Sequence, residues 1–428
     1  MDSRIFAPSR RALLAGFGAA TAGLVTGGAS PPVTARLALQ ARTATLAPRS
    51  GDPALTAWEL AASDAGGIVR VRRGQTCQLA FRNELPVPLA PVWSGLRNAS
   101  LLDRAPTPPR ATETSTISIA SAGTLLADFR LFEDGLKLPA RPLPIIAEEL
   151  VPVAVDRDEI LLIEEWRLRP DGSAIPPGQD ATSATTLYTV NGRTSCDLSA
   201  SPHDRLRLRI INASQRTVLA FKLEGHEVRV MALDGQPAEP FSARNGALVL
   251  APGARADAFV DAASTAALLL HDGKAARPIG TLSVSGGMPS RLAPPPPQPL
   301  PANDLPDRLD LRNALRVDLA LGAAETGWTR PASLGPAPAF RARSGRTIVL
   351  ALKNPAPLTT VFHLHGQPFR LLDRLDDGWK PYWLDTLAIE PGQTQRIAFV
   401  ATAAGRGLLE SVAADWAAPR LVRWYAVE

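Results

Sequence analysis

The sequence predicts an all-β chain of three tandem β-sandwich domains. Three segments align without gaps: "GQTCQLAFRN" (Gly74–Asn83), "HDRLRLRIIN" (His203–Asn212) and "GRTIVLALKN" (Gly345–Asn354). Each opens at a turn, alternates apolar and polar residues and closes on asparagine, the pattern of a strand with one face in a core. Spacings of 129 and 142 residues are too long for a solenoid and match one domain per copy. The 40 prolines and 32 glycines among 428 residues supply the turns that short strands need.

In chain order, Ser9-Arg10-Arg11 stands ahead of an uncharged Ala- and Gly-rich stretch, Ala12–Ala29, with small residues following at "PPVTA". That arrangement matches a twin-arginine signal, which exports proteins already folded, so residues 1–35 are set apart and a periplasmic location is expected. Gly and Thr make the stretch a poor bilayer helix, and no later apolar segment is long enough to span. The first domain is placed at 36–150, the second at 151–285 and the third at 308–428. Between the last two, Gly286–Asp307 carries a run of prolines that cannot donate to a ladder, and is expected to be a linker. "LVLAPGARADAFV" (Leu248–Val260) and "LAIEPGQTQRIAFV" (Leu387–Val400) each run strand, Pro-Gly turn, strand, and are expected to be hairpins. "STISIASAGTLLADF" is a looser version in the first domain, without the Pro.

Charge excludes one class of partner. Of the net +5, residues 1–35 carry +2, leaving about +3 on the rest, and the arginines fall singly along strands rather than in phosphate-tracking runs. Nucleic-acid binding is not expected. Cys77 and Cys196 are 119 positions apart, which is neither a zinc pattern nor a redox pair. A disulfide between them stays open, but Cys77 aligns with Leu206 and Ile348 and so reads as a buried thiol.

The segment "TTVFHLHGQPF" (Thr359–Phe369) carries the one arrangement of ligand type. Residues two apart on a strand share a face, so His363 and His365 point together, as copper or zinc ligands do. With "TVNGR" (Thr189–Arg193), "RLRIINAS" (Arg207–Ser214), "ALDGQP" (Ala232–Pro237) and "WLDTLAIEPG" (Trp383–Gly392), this pair makes the chain resemble the three-domain multicopper oxidases over nearly all its length after the signal. The resemblance implies three cupredoxin-like Greek-key β-sandwich domains. It also implies a type 1 copper that takes single electrons from substrates and a trinuclear cluster that reduces oxygen to water.

Here the chain departs from the family's pattern. Val92 and Ser94 stand at the first histidine pair, Asp128 and Arg130 at the second. Only the third pair, His363 and His365, is intact. Glu410, Ser411 and Val412 replace the His-Cys-His that frames the copper cysteine, while Thr360 and Trp416 fall on the type 1 histidines. A count agrees: four pairs need eight histidines and the chain has five, with no cysteine after Cys196. The expectation is a family member without its type 1 and trinuclear sites, resembling the copper-free periplasmic branch associated with cell division.

Two readings of His363 and His365 stay open. One is a buried strand pair hydrogen-bonded between the first and third domains. The other is a single copper or zinc ion, with Glu410 or Asp128 as third ligand. Asp128, Arg130 and Glu410 are expected to form a salt-bridged network filling the space a cluster would occupy. His203 is expected to be exposed at a turn, His226 to lie on a strand and His271 at a hairpin turn. No catalytic residue is assigned, and no cofactor is expected beyond at most one copper or zinc. The implied function is a non-catalytic periplasmic scaffold or binding protein with an unidentified periplasmic protein or envelope component as partner. The alternative is a mononuclear copper oxidoreductase or copper-binding protein centred on His363 and His365. Three methionines in all provide no copper-collecting segment.

Overall fold

The computed structural model describes residues 34–428 apart from 50, 52–53, 64–67, 98–101, 103, 130, 132–137, 287–291, 323–325 and 374–377. The twin-arginine segment, Arg130 and the start of the linker lie outside the described residues. Among the described residues there is no α-helix, and the strands form six sheets in three sequence-contiguous pairs.

The three aligned segments become equivalent strands: Thr76–Asn83, Arg205–Asn212 and Thr347–Lys353. Each lies parallel to the first long strand of its own sandwich, Ala35–Leu46, Arg157–Leu168 or Leu315–Ala320. On the other edge each pairs antiparallel with a later strand, Thr112–Ser118, Arg255–Asp261 or Thr394–Val400. Parallel neighbours need a crossover. Here it runs through a short strand in the opposite sheet, Val69–Arg72, Leu198–Ala200 or Arg341–Ala342. Each short strand lies parallel to its sandwich's last strand.

The closing asparagine is a brace between layers. Asn83, Asn212 and Asn354 are wholly buried. Asn212 Nδ2 donates to the carbonyls of Thr217 and Leu250 at 2.9 and 2.8 Å, while Oδ1 accepts the Ser214 N–H at 3.0 Å. Asn83 does the same with Val87, Thr107 and Leu85, and Asn354 with Leu358, Ile389 and Ala356. Two donors and one acceptor on a short side chain is what a primary amide supplies and a carboxylate does not.

The two Pro-Gly segments are not hairpins. Ala247–Leu250 and Arg255–Asp261 belong to opposite sheets, as do Thr386–Ile389 and Thr394–Val400. Each turn therefore carries the chain across the sandwich, and the alternation reports a buried face without saying which strand lies alongside. Gly74 and Gly345 open their segments at φ +85° and +79°, and His203 holds the same left-handed position at +69°. His203 is half-buried rather than exposed, and His226 sits in a turn between strands, not on one. His271 ends one strand of a hairpin, opposite Ala276.

Each sandwich has its own apolar core, and smaller clusters join them. Leu126 and Ile146 pack with Ile160, Leu162 and Ile211 between the first and second. Val92 packs with Leu408 and Val422 between the first and third. Val361 and Val412 enter the core of the second from the third. Arg205–Asn212 is buried along its whole length, so the polar face of this copy lies in a seam rather than in water. Residues 292–307 form no strand but are pinned along that seam. Asn303 Nδ2 donates to the Ala122 carbonyl and Gln236 Oε1 and its Oδ1 accepts the Ala122 N–H, all at 2.9 Å.

Replacing Asn212 by alanine takes a donor from the Leu250 carbonyl and the acceptor from the Ser214 N–H, while the Thr217 carbonyl keeps the Ser214 hydroxyl at 2.7 Å. The expected outcome is a loss of about 2–4 kcal/mol, read as a lowered urea midpoint. A midpoint within error of the parent would show that Asn212 does not brace the two layers.

Candidate functional site

The strand Thr360–Leu364 is buried throughout and sits between Thr386–Ile389 and Gly405–Ala413. Phe362 and Leu364 turn into the third core. The opposite parity sends Val361 and His363 toward the other two sandwiches. His365, one residue past the strand's end, keeps that direction, and the two imidazole centroids are 6.1 Å apart.

Both rings face Glu410, which lies directly opposite His363 in the sheet. His365 Nε2 is 2.8 Å from Glu410 Oε2, and His363 Nε2 is 3.9 Å from Oε1. Arg420, on the neighbouring strand, donates to Oε1 of the same carboxylate, and its other terminal nitrogen reaches Gln215 Oε1 at 3.5 Å. Hydrogen bonding fixes the ring protons. Thr386 Oγ1 donates to Asp385 at 2.8 Å, so at 3.0 Å it accepts from His363 Nδ1–H. In the neutral ring the Nε2 lone pair then faces the junction. His365 is turned the other way, donating its Nε2–H to the Glu410 carboxylate.

Burial drives the His363 pKa down to about 4, against the pull of Glu410. Burial pushes Glu410 upward, but Arg420 and then His363 hold it well below the usual carboxylate range. At neutral pH the junction therefore holds a neutral His363 beside an ionised Glu410–Arg420 pair. A cavity of about 30 Å³ remains between them and Val92, Ser94 and Asp128, room for one or two waters.

The structure thus brings together Val92, Ser94, Asp128, His363, His365 and Glu410, drawn from the first and third sandwiches. Arg130 lies outside the described residues, and the pairing expected of it with Glu410 is made by Arg420. Sequence reading missed Arg420 and Gln215. Arg420 reaches Glu410 because it pairs with Val412, two residues along, a diagonal visible only once register is known. Around the type 1 positions, Thr360 Oγ1 donates to Asn354 at 3.0 Å and Trp416 Nε1 donates to the Pro176 carbonyl at 3.2 Å. Ser411 is buried. Cys77 and Cys196 are free thiols in the first and second sandwiches, both raised in pKa by burial. Among the described residues, no three His, Cys, Asp or Glu side chains form a metal-holding group.

Behind His363 the network continues through Asp385 to Arg255, whose Nη2 is 2.6 Å from Asp385 Oδ2. Arg255 Nε donates to the Thr124 carbonyl and Nη1 to that of Gly253, at 3.0 and 2.8 Å. Asp234 accepts backbone N–H groups of Arg255, Asp385 and Thr386 within 3.1 Å. Burial and the neighbouring Asp385 push Asp234 up to about 7, while Arg255 holds Asp385 below its ordinary value despite its burial. Gly253, at φ +84°, lies so close to His363 that a Cβ there would stand 2.9 Å from the imidazole.

Family models described as "Multicopper oxidase" match residues 162–268 and 308–428. Multicopper oxidase MmcO of Mycobacterium tuberculosis is 24% identical to this chain, over 84% of it and 82% of that protein. Laccase-1 of Thanatephorus cucumeris is 26% identical over 46% of this chain and 39% of its own length. Lac15 from a marine microbial metagenome superposes with a TM-score of 0.75 at 25% identity, covering 93% of this chain and all 100% of that one. A multi-copper oxidase from Pseudomonas thermotolerans shares the fold with a TM-score of 0.77 at 23% identity, over 93% of this chain and 100% of that one.

Two outcomes test this junction. Arg420→Met leaves Glu410 a buried charge without its guanidinium and lowers stability by about 3–5 kcal/mol, whereas adding Glu410→Gln restores a large part. Equal loss in both variants, measured by urea unfolding, would contradict the pairing. The second concerns pH. The unfolded chain protonates His363 near 6.5 but the folded chain only near 4, so stability is full at neutral pH. It falls as pH drops through that window, by on the order of 3 kcal/mol. His363→Gln should flatten the slope between about pH 6.5 and 4.5, and an unchanged slope would rule out His363 as its source.

Proposed function

The chain belongs to the multicopper oxidase family, and we propose that it is a non-catalytic member, an exported scaffold or binding protein without the type 1 and trinuclear copper sites. The observation that carries this reading is the Arg420 guanidinium bound to Glu410 beside both imidazoles. A fixed cation on that carboxylate opposes a second cation in the same space.

The donor set does not fit the family's metals. Val92 offers no donor, Ser94 offers only a hydroxyl, and His365 Nε2 is engaged with Glu410. At the type 1 positions Thr360, Ser411 and Trp416 provide no thiolate and no imidazole, the ligands that set a blue copper's potential. Among the described residues no helix is long and apolar enough to cross a membrane. Export by the twin-arginine route to the periplasm belongs to the same proposal and rests on Ser9-Arg10-Arg11 and the stretch after it. A role like that of the copper-free periplasmic division protein SufI rests on analogy of fold and pattern. The partner proposed is a periplasmic protein or envelope component.

One observation favours a second reading. His363 presents an Nε2 lone pair toward the carboxylate that also accepts from His365. With Arg420 displaced, His363, His365 and Glu410 would supply three ligands to a single copper or zinc.

Copper and zinc loading followed by desalting and elemental analysis separates the two. The expected result is well under one metal per chain, no blue absorption and no oxygen consumption with phenolic substrates. One tightly held ion that disappears in His363→Ala would replace this reading with the second. Several coppers per chain with oxidase turnover would overturn both.

A further inference from the structure

Between the first and second sandwiches, away from the central junction, lies a cleft of about 720 Å³, within the range of small-ligand sites. One wall is the strand Val69–Arg72 and the turn after it. Val69 and Val71 enter the first core, while Arg70 and Arg72 alternate outward into the cleft. The floor is Arg207 and Arg209, only 2% and 1% exposed. The facing wall is the connection between the sandwiches, where Leu150, Pro152, Val153 and Val155 present apolar surface. Leu150 is 72% exposed and adjoins Val151 at 67%, so the apolar surface here is a small patch rather than one side chain.

The ion pairs in the cleft are unequal. Arg207 is held by Asp257 and Glu149 at 2.6 and 2.8 Å, and Arg209 takes both oxygens of Asp158 at 2.6 and 3.0 Å. Arg73 is matched by Asp304 at 2.8 Å. Arg70 and Arg72 are left to share Glu148, at 3.6 and 3.4 Å, and Arg70's other contact, at 3.5 Å, is to the Asp158 that Arg209 already holds. Committed guanidinium–carboxylate bonds are shorter than these. The wall arginines therefore keep donors that an incoming anion can use. Five arginines against Glu148, Glu149, Asp158, Asp257 and Asp304 leave no net charge, which disfavours a polyanion.

We propose that this cleft binds an organic monoanion with an apolar body, its head on Arg70 and Arg72 and its body on Leu150, Pro152 and Val153. A fatty carboxylate and a single-chain lipid phosphodiester, each with one negative charge at neutral pH, share that chemistry. The site does not depend on how the central junction is read.

Calorimetric titration of the full chain with decanoate, decyl methyl phosphate, decanol and inorganic phosphate tests it. Decanoate or decyl methyl phosphate should saturate at one per chain, the tighter of the two identifying the head group, with decanol and inorganic phosphate at least tenfold weaker. Arg70→Gln with Arg72→Gln should weaken the tighter ligand at least tenfold. Leu150→Asp, which leaves both arginines in place, should do the same. Absence of saturable binding, or affinity unchanged in either variant, would overturn the assignment.

Discussion

The arrangement of the three sandwiches depends on one side chain, Arg255. It is 0% exposed, where an unpaired charge would be prohibitive. The cost is offset because its donors diverge into groups from each sandwich: the Thr124 carbonyl from the first, Gly253 from its own, and Asp385 from the third. A lysine could not serve all three, since its ammonium lacks the planar fork. Asp234 completes the tie from a two-residue Asp-Gly turn at φ +47° and +74°, the geometry that such turns favour. Its carboxylate takes the backbone of Asp385 and Thr386 and so sets where the third sandwich sits.

That placement determines the chemistry of His363. Thr386 is fixed by Asp234 and Asp385, His363 is fixed by Thr386, and Gly253 is pressed against the imidazole from the second sandwich. The ring is held neutral by surroundings contributed by more than one domain. The Glu410–Arg420 pair beside it is charged and satisfied. The result is a junction ordered by hydrogen bonds, with about 30 Å³ unfilled.

Much of this fold is legible in local pattern. The three aligned segments are equivalent central strands because period-two alternation and a closing asparagine are both local consequences of one architecture. The shared direction of His363 and His365 follows from strand parity, and Cys77 is buried as its alignment with Leu206 and Ile348 requires. What the pattern did not settle depends on long-range register. A Pro-Gly turn between alternating runs suits a hairpin and a crossing between sheets equally well. Alternation marks Arg207 and Arg209 as facing away from a core, but not that another domain covers them. Arg420 becomes a partner of Glu410 only when two strands pair in one register. The Asp-Gly in "ALDGQP" is a turn signal that can be read locally, but its hold on the third sandwich cannot.

The proline-rich connection has a consequence for chain integrity. Asn303 satisfies both backbone groups of Ala122 in the first sandwich and donates to the carboxamide oxygen of Gln236 in the second, while Leu300 packs on Met231 and Phe259. This stretch acts as a splint across its two predecessors as well as a tether to its successor. A polypeptide truncated before it would hold two sandwiches whose mutual boundary lacks its last closing residues. A nick there would loosen the boundary between the first two, while Arg255 and Asp234 still hold the third through Asp385 and Thr386.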